Sequence, residues 1–341
     1  MLPYLSIVVS SRNDDHGGKM QHRMAIFVRG LLHQTRKYGL PSELIFVEWN
    51  PPSNTPLLHE ILPKPNPDDC LSLRYIIVPP HFHARYRFAD TLSLHQMIAK
   101  NVGIRRARGR FVLCTNVDLL FSDALLQELA QQNLRETCFY RANRCDIPAD
   151  LSPEWTVEEQ LVYAQEHIGV RLGIPHAFKH LINAHPLLLK SPFIAAPLNA
   201  LVGLKRRLFA DKVRRRLWLL DLHACGDFTL MSRQAWDNIQ GYPEIDLYPV
   251  HIDSLGIIAA AAAGYEQIIF EPQACTYHLA HQNSWNAMNP IERLRFCQKT
   301  PGLGWEVVES AGRHLLETES KWNINTNDWG LYNEPLQEIL C

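Results

Sequence analysis

The sequence predicts an α/β fold in which helices flank a mostly parallel central sheet, and three observations favour it. Short apolar runs rich in β-branched residues are typical of strands that are buried on both faces. Helical patterns separate these runs at the spacing of βαβ units. The 341 residues are 46% hydrophobic and 20% charged, which is ordinary for a globular protein with a large core.

The N-terminal part supplies the alternation of strands and helices. We predict strands at 5–9, 44–47, 74–78 and 111–115, with helices at 20–38 (stopped by Gly39) and 92–107. Ligands of such open sheets bind at the carboxyl ends of the strands. The segments that follow three of these strands, 10–15, 48–50 and 116–118, are therefore the candidate binding residues.

The rest of the chain divides into three further parts. Proline-interrupted helical patterns dominate residues 151–222. We interpret this segment as a helical insertion between an N-terminal half, 1–150, and a second half, 223–290. In that second half we predict strands at 228–231 and 267–270, with helices at 233–239 and 253–263. A helical C-terminal extension follows at 291–341.

Charge and cysteine content exclude some classes of protein. The net charge of −1 gives no general attraction to nucleic acid. Eight scattered cysteines without a Cys-x-x-Cys pair indicate reduced, buried thiols. The apolar run at the N-terminus is too short to span a bilayer and lacks the features of a signal peptide. We therefore expect a cytoplasmic protein.

The basic segment 205–216 (KRRLFADKVRRR) has three interpretations. It is a solvated helix face, a contact for anionic lipid headgroups or a lipid-diphosphate acceptor, or a nucleic-acid site. A solvated helix face comes first, and the apolar run at 187–204 beside it supports the second interpretation, a peripheral contact at the inner face of a membrane. Nucleic acid is disfavoured because the rest of the chain is neutral.

Asn116 and Asp118 directly follow the strand at 111–115. A carboxylate at a strand end, with a second oxygen ligand two residues away on the same face, can hold Mg²⁺ or Mn²⁺. Such a triplet also occurs by chance. The alternative is an aspartate that caps the next helix, near Ser122 and Asp123.

Two blocks of sequence resemble family-2-like glycosyltransferases of the GT-A fold. The segment 98–121 (IAKNVGIRRARGRFVLCTNVDLLF) resembles the stretch in which a helix with an Asn and an Ala-x-Gly turn precede the family's metal-binding strand end. In 224–244 (ACGDFTLMSRQAWDNIQGYPE), a strand is followed by Arg, a helix and Gly-aromatic-x-Glu. The resemblance implies a GT-A-like (Rossmann-type) sheet and a hexosyltransferase-like enzyme, in which 1–150 binds the donor and 223–290 carries catalysis and acceptor binding.

The resemblance also implies an activity. The enzyme would use Mn²⁺ or Mg²⁺ to transfer a sugar from a nucleotide-sugar donor to a glycan, a lipid-linked acceptor or a small hydroxyl compound. The product would belong to cell-surface polysaccharide or glycolipid synthesis. An inverting transfer needs one carboxylate to take the proton of the acceptor hydroxyl.

The same resemblance implies which residues bind the metal and which residue is the catalytic base. Asp118 and His278 correspond to the metal ligands, with His281 as the alternative histidine, and Asn116 replaces the first acid of the family's motif. Asp253, counted back from Gly264, corresponds to the catalytic base, although the residue before it is Ile252 rather than an acid. Helix capping is the alternative for Asp253, and a hydrogen-bonded structural role is the alternative for either histidine.

The donor-binding residues implied by the resemblance lie at other strand ends. Ser10, Ser11, Arg12 and Asn13 would hold the base and ribose, and Glu48 would contact the nucleoside through its carboxylate. Lys100 and Asp90 would approach the donor or lie on the solvated surface. Asp227 would bind the donor sugar or acceptor, or have a structural polar role. Residues 322–331 (WNINTNDWGL) would form a lid, or Trp329 would pack into the core.

Two other classes remain in competition at the level of sequence. A sugar nucleotidyltransferase would share the sheet and the metal, but we would expect a glycine-rich phosphate loop directly after its first strand, where 10–15 is Ser-Ser-Arg-Asn-Asp-Asp. A non-catalytic nucleotide- or glycan-binding protein would keep the fold without the activity. Hydrolysis of a donor in the presence of Mn²⁺ distinguishes an enzyme from such a binding protein.

Overall fold

The computed structural model of the protein describes residues 2–148, 150–152, 154–172, 212–281, 291, 301–320 and 324–341. Its strands are β1 (Leu5–Ser11), β2 (Ser42–Trp49), β3 (Leu71–Val78), β4 (Phe111–Thr115), β5 (Leu119–Phe121), β6 (Cys138–Arg141), β7 (Asn143–Ile147), β8 (Val170–Leu172), β9 (Phe228–Ser232), β10 (Glu266–Ile269), β11 (Cys275–Leu279) and β12 (Gln337–Leu340).

The helices flank these strands along the chain. They are α1 (Met20–Tyr38), α2 (Leu58–Ile61), α3 (Pro80–His83), α4 (Gln96–Arg106), α5 (Asp123–Ala130), α6 (Val157–Glu166), α7 (Lys212–Leu219), α8 (Arg233–Ile239), α9 (Ile252–Ala262) and α10 (Trp305–Thr318). Among the described residues, no helix is both long and apolar enough to cross a membrane.

Eight strands form the central sheet in the order β10-β6-β9-β4-β1-β2-β3-β12. Strands β4, β1, β2 and β3 are parallel neighbours, and β6 pairs with β10 in parallel. Strand β9 lies antiparallel between β4 and β6, and β12 lies antiparallel on β3. The predicted α/β fold with a mostly parallel central sheet flanked by helices is confirmed.

Burial of β1 on both faces explains why its sequence is continuously apolar. All seven of its residues are buried. Ile7 and Val9 pack in the hydrophobic cluster that includes Phe27 of α1, whereas Val8 packs in the cluster that includes Val102 of α4. Each such side chain contributes about 1.5–3 kcal/mol when it is fully buried. Successive residues thus anchor helices on opposite faces, as expected of a parallel strand.

A second, four-stranded sheet has the order β5-β11-β7-β8. Strand β11 pairs antiparallel with β5 and parallel with β7. In this register His278 lies opposite Leu119 on one side and Asp146 on the other. These strands have three to five residues each and were not predicted from the sequence. They carry much of the candidate site.

The C-terminal segment packs on the N-terminal half. Arg74 on β3 is buried and donates to Glu43 at 2.7 Å and to Glu338 on β12 at 2.8 Å. Trp329 is only 2% exposed, and the Arg105 guanidinium lies 4.8 Å from its ring centre. Of the two interpretations of this segment, the structure supports core packing for Trp329. Residues 321–323 lie outside the described part of the chain.

Several predicted boundaries were wrong by a few residues. The helix predicted from 92 begins at Gln96, because Leu92 forms a turn with Phe88 and His95 packs in an aromatic cluster with Trp49. The C-terminal extension predicted to be helical, 291–341, contains α10 among its described residues. Of the basic segment, 205–211 lies outside the described residues and 212–216 belongs to α7.

Candidate active site

Asp118, His278 and His281 converge beyond the carboxyl end of β4. Asp118 precedes β5, and the pairing of β5 with β11 brings it beside both histidines. Its Oδ2 lies 3.6 Å from His278 Nε2 and 3.2 Å from His281 Nε2. One ligand atom from each of the three residues lies within 4.8 Å of the others. This is a set that can hold one metal ion.

The charges in this cluster stabilise one another. Burial acts against ionisation of Asp118, but His278 and His281 hold the pKa of its carboxyl well below its usual range. Burial likewise acts against protonation of His278, but Asp118 raises the pKa of that imidazole to about 9. The Oδ1 atom of Asp118 is buried and has no hydrogen-bond partner within the described residues. An unpartnered carboxylate oxygen beside two imidazoles suits a divalent transition-metal ion.

Asn116 lies two residues before Asp118, with its amide hydrogen-bonded at both ends. Its Oδ1 accepts from Gln96 Nε2 at 2.9 Å and from Lys100 Nζ at 2.8 Å. Its Nδ2 donates to Asp227 Oδ1 at 2.6 Å. Two donors occupy both lone pairs of the amide oxygen. Asn116 is therefore placed to orient Asp227 rather than to coordinate a metal.

Lys100 on α4 is fully buried beneath this amide. Besides Asn116, it donates to the Gly226 carbonyl at 2.8 Å. Burial lowers the pKa of Lys100, and the nearby carboxylates of Asp227 and Asp253 act in the opposite direction. The ammonium thus ties the end of β4 to the loop before β9.

Arg144 and Asp146 extend the network to the histidine. Arg144 donates to Asp227 Oδ2 at 2.8 Å and to Asp146 Oδ1 at 2.7 Å. Asp146 Oδ1 lies 3.1 Å from His278 Nδ1. Neither Arg144 nor Asp146 was predicted as a site residue. Their spacing of two residues, which places both on one face of a strand, was the signal that could have found them.

Asp253 lies in the first turn of α9, close to Asn116. Its Oδ2 accepts the Gly226 N–H at 2.7 Å, and its Oδ1 accepts the Ser254 N–H at 2.9 Å. A Cβ added to Gly226 would lie 3.3 Å from Asp253 Oδ2 and 3.9 Å from Asn116 Nδ2. His251, not Asp253, occupies the N-cap position of this helix. Burial raises the pKa of Asp253 above its usual value, although both N–H groups lower it.

The predicted donor-binding residues Ser10 to Asn13, at the carboxyl end of β1, make hydrogen bonds within the protein itself. Ser10 Oγ donates to the Gln96 carbonyl at 3.5 Å, and Ser11 Oγ donates to Met24 Sδ at 3.4 Å. Arg12 donates to the Ser93 carbonyl at 2.9 Å, and Asn13 Nδ2 donates to the Pro56 carbonyl at 2.9 Å. Through Gln96, Ser10 lies next to the Asn116 network.

Glu48 lies at the carboxyl end of β2, opposite Ser11 in the sheet register. Its Oε1 and Oε2 accept the Leu58 N–H at 3.1 and 2.9 Å. Burial raises the pKa of Glu48 to about 7, although that hydrogen bond lowers it. Asp90, the remaining candidate, is exposed. The structure thus joins Asp118, His278, Asn116, Lys100, Asp227 and Asp253 in one region, and it places Glu48 and Ser11 together at a neighbouring strand end.

Comparisons with known proteins give matches in structure only. No family model and no curated protein matches the sequence. The chain is similar to S. aureus TarS residues 1–349, with a TM-score of 0.43 and 12% identity over 81% of this chain and 60% of that one. It is also similar to the catalytic domain of Drosophila beta1,4galactosyltransferase 7 in complex with xylobiose. That TM-score is 0.38, with 10% identity over 91% of this chain and 79% of the other.

Proposed function

We propose that this chain is a metal-dependent glycosyltransferase that moves a sugar from a nucleoside-diphosphate sugar to a hydroxyl acceptor with inversion. One observation carries the proposal. A metal-ligand set (Asp118, His278 and His281) and a half-buried carboxylate in the first turn of α9 (Asp253) lie on either side of a network in which Lys100 donates to Asn116 and to Gly226, whose N–H donates to Asp253. Sugar transfer of this type needs both a cation for the leaving group and a base for the acceptor.

Asp118, His278 and His281 would hold the ion. A bound divalent cation supplies charge neutralisation for the diphosphate oxygens as the glycosidic bond breaks. Two imidazole nitrogens and a single carboxylate favour Mn²⁺ over Mg²⁺, because Mg²⁺ prefers oxygen ligands. Asn116 shapes the site through its hydrogen bond to Asp227 and is not needed as a ligand.

Asp253 would accept the acceptor's proton. As the acceptor oxygen forms its bond to the anomeric carbon, the bond from that carbon to the diphosphate oxygen breaks and the hydroxyl proton passes to the carboxylate. A pKa raised by burial makes Asp253 a better proton acceptor than an ordinary aspartate. Attack from the face opposite the leaving group inverts the anomeric centre.

The nucleoside would lie at the ends of β1 and β2. Ser11 and Glu48 are neighbours in the parallel register, so the segment from Ser10 to Asn13 and the Glu48 carboxyl end at the same edge of the sheet. Lys100 donates to Asn116, the amide of Asn116 donates to Asp227, and Asn116 lies two residues before the metal ligand Asp118. We propose a glycan or lipid-linked hydroxyl as the acceptor, as in cell-surface glycan or glycolipid synthesis.

A donor screen tests the proposal. Purified protein is incubated with a panel of nucleoside-diphosphate sugars, with Mn²⁺, with Mg²⁺ or with a chelator, and released nucleoside diphosphate is measured. We expect release that needs Mn²⁺ and that falls at least about 100-fold in Asp118→Ala. Asp253→Asn should bind Mn²⁺ and donor normally but fail to transfer sugar to an acceptor. Glu166→Ala, at an exposed carboxylate on α6, is the control.

Two outcomes would contradict the proposal. Full activity with unchanged metal dependence in Asp118→Ala would show that Asp118 does not hold the catalytic metal ion. Tight binding of donor and Mn²⁺ without any turnover across the donor and acceptor panels would instead indicate the non-catalytic binding protein.

A further inference from the structure

Asp146 and His278 face each other across the pairing of β7 and β11. The register places the two residues directly opposite, and Asp146 Oδ1 lies 3.1 Å from His278 Nδ1. Arg144 contacts both partners: its Nε lies 2.7 Å from Asp146 Oδ1, and its NH2 group lies 2.9 Å from His278 Nδ1. The nitrogen on the far side of the ring, Nε2, is the atom that faces Asp118.

The Nδ1 atom therefore contacts one pure acceptor and one pure donor. A carboxylate only accepts hydrogen bonds and a guanidinium only donates them. If only Nδ1 carries a proton, it donates to Asp146, and the neutral ring keeps a lone pair on Nε2. If Nδ1 is bare, it accepts from Arg144, and Nε2 carries the proton towards Asp118. Only the first arrangement leaves Nε2 able to bind a metal ion.

We propose that Asp146 is a positioning residue that keeps the Nδ1 proton on His278 and so presents the Nε2 lone pair at the metal site. This inference rests on the proposed function, because it concerns the metal ligand named there. A carboxylate bonded to the far nitrogen of a histidine fixes the orientation of the ring and makes it a stronger ligand. The Arg144 guanidinium is already bonded to Asp146 and to Asp227, so it holds Asp146 in place beside the ring.

Direct metal binding tests the role of Asp146 without enzyme turnover. Mn²⁺ affinity is measured by calorimetry for the wild-type protein, for Asp146→Asn and Asp146→Ala, and for Asp123→Asn as a control. Asp123 pairs with Lys37 at 2.7 Å and lies outside the site network. We expect the Asp146 variants to bind about 10- to 100-fold more weakly, and the control to match wild type. Mn²⁺ affinity of Asp146→Asn within about twofold of wild type would overturn the proposal.

A spectroscopic measurement on the wild-type protein is independent of how well the variants fold. In the Zn²⁺-loaded, ¹⁵N-histidine-labelled protein, long-range ¹H–¹⁵N spectra report which ring nitrogen carries a proton. We expect His278 to be coordinated through Nε2 and protonated at Nδ1. Coordination through Nδ1, or an unprotonated Nδ1, would overturn the proposal.

Metal binding by the wild-type protein and by Asp146→Asn distinguishes a failure of the proposed function from a failure of the role of Asp146. If the wild-type protein binds neither Mn²⁺ nor Zn²⁺, both the metal-dependent function and the role of Asp146 are wrong. A wild-type protein that binds both ions, with an Asp146→Asn variant that binds them equally well, removes only the role of Asp146.

Discussion

Lys100 and Asn116 are joined by a hydrogen bond of 2.8 Å in which a fully buried ammonium donates to an amide oxygen. In the family that the sequence resembles, an acid stands at the position of Asn116. Here the amide uses its other end to hold Asp227, at 2.6 Å. The carboxylate of this hydrogen-bond network is therefore that of Asp227, and residue 116 contributes a neutral amide.

Restoring the acid in Asn116→Asp should destabilise the protein. The new carboxylate would face the Asp227 carboxylate where an N–H now donates, so two like charges would replace a hydrogen bond. We expect a loss of about 1–3 kcal/mol in the free energy of unfolding at neutral pH. Urea unfolding measures it.

A double variant separates this repulsion from a general effect of the substitution. Adding Asp227→Asn restores a donor opposite the new carboxylate, so the double variant should regain part of the lost stability. Strictly additive losses in Asn116→Asp and Asp227→Asn would show that the two side chains do not interact.

His281 should matter as much as His278 for metal binding. Both Nε2 atoms lie within 3.6 Å of the same Asp118 oxygen, so removal of either imidazole leaves two of three ligands. We expect His281→Ala and His278→Ala each to weaken Mn²⁺ binding by at least about 10-fold, measured by calorimetry. His314→Ala, on α10, is the control. Normal Mn²⁺ affinity in His281→Ala would restrict the site to Asp118 and His278.

Mn²⁺ affinity should rise with pH. Because the pKa of His278 is raised to about 9, the ring carries an extra proton at neutral pH, and this proton must leave before Nε2 can coordinate. Each unit of pH below that pKa should therefore cost up to about 10-fold in affinity, and the gain should level off above it. Calorimetry in buffers of different ionisation enthalpy measures the affinity and the released proton together. An affinity that is constant between about pH 7 and about pH 9 would contradict the assignment of this pKa.

Glu48→Gln should alter the pH dependence of stability. The folded pKa is raised from 4.5 to about 7, so the folded state binds a proton between these values that the unfolded state has released. The wild-type protein should lose stability as pH rises through this window, by on the order of 3 kcal/mol. Glutamine cannot ionise, but its amide oxygen still accepts the Leu58 N–H.

Urea unfolding at about pH 4.5 and about pH 7.5 checks this prediction. The advantage of Glu48→Gln over wild type should appear at the higher pH and vanish at the lower one. Glu166→Gln, at an exposed position on α6, should behave as wild type at both. An equal difference at both pH values would rule out a raised pKa of Glu48 as its cause.

Trp329→Ala and Tyr332→Ala form a matched pair in the C-terminal segment. Both rings lie against Arg105, at 4.8 and 4.4 Å, but Trp329 is 2% exposed and Tyr332 is 54% exposed. Removing the buried ring should cost about 3–5 kcal/mol in the free energy of unfolding. Removing the exposed ring should cost less than about 1 kcal/mol. Equal small losses would favour the lid interpretation of this segment.

The elements with strong local signals were predicted closely. The helix predicted at 20–38 is α1, and it ends where Gly39 adopts a left-handed conformation with φ of 63°. The strand predicted at 111–115 is β4, and the helix predicted at 233–239 is α8. In each case the pattern of apolar residues and the end signal lie within the element itself.

The smaller sheet had no comparable signal. Strand β5 has three residues and β11 has five, which is too short for a periodic pattern to stand out. Their pairing joins residues more than a hundred positions apart, so no local pattern encodes it. The resemblance suggested Asp118 and His278, which the structure places side by side. The spacing of Arg144 and Asp146 places them on one face of a strand, but only the register of β7 with β11 shows that this face lies beside His278.

The ion pair between Arg74 and Glu338 spans 264 positions of the chain. Before β12 pairs with β3, β3 is the edge strand of the central sheet, and its backbone N–H and C=O groups on that side have no partner strand. Nascent or truncated forms would therefore expose a strand that can add to other chains. We expect slow maturation and a need for chaperones during synthesis, because Arg74 and Glu338 can meet only after the chain between them has left the ribosome.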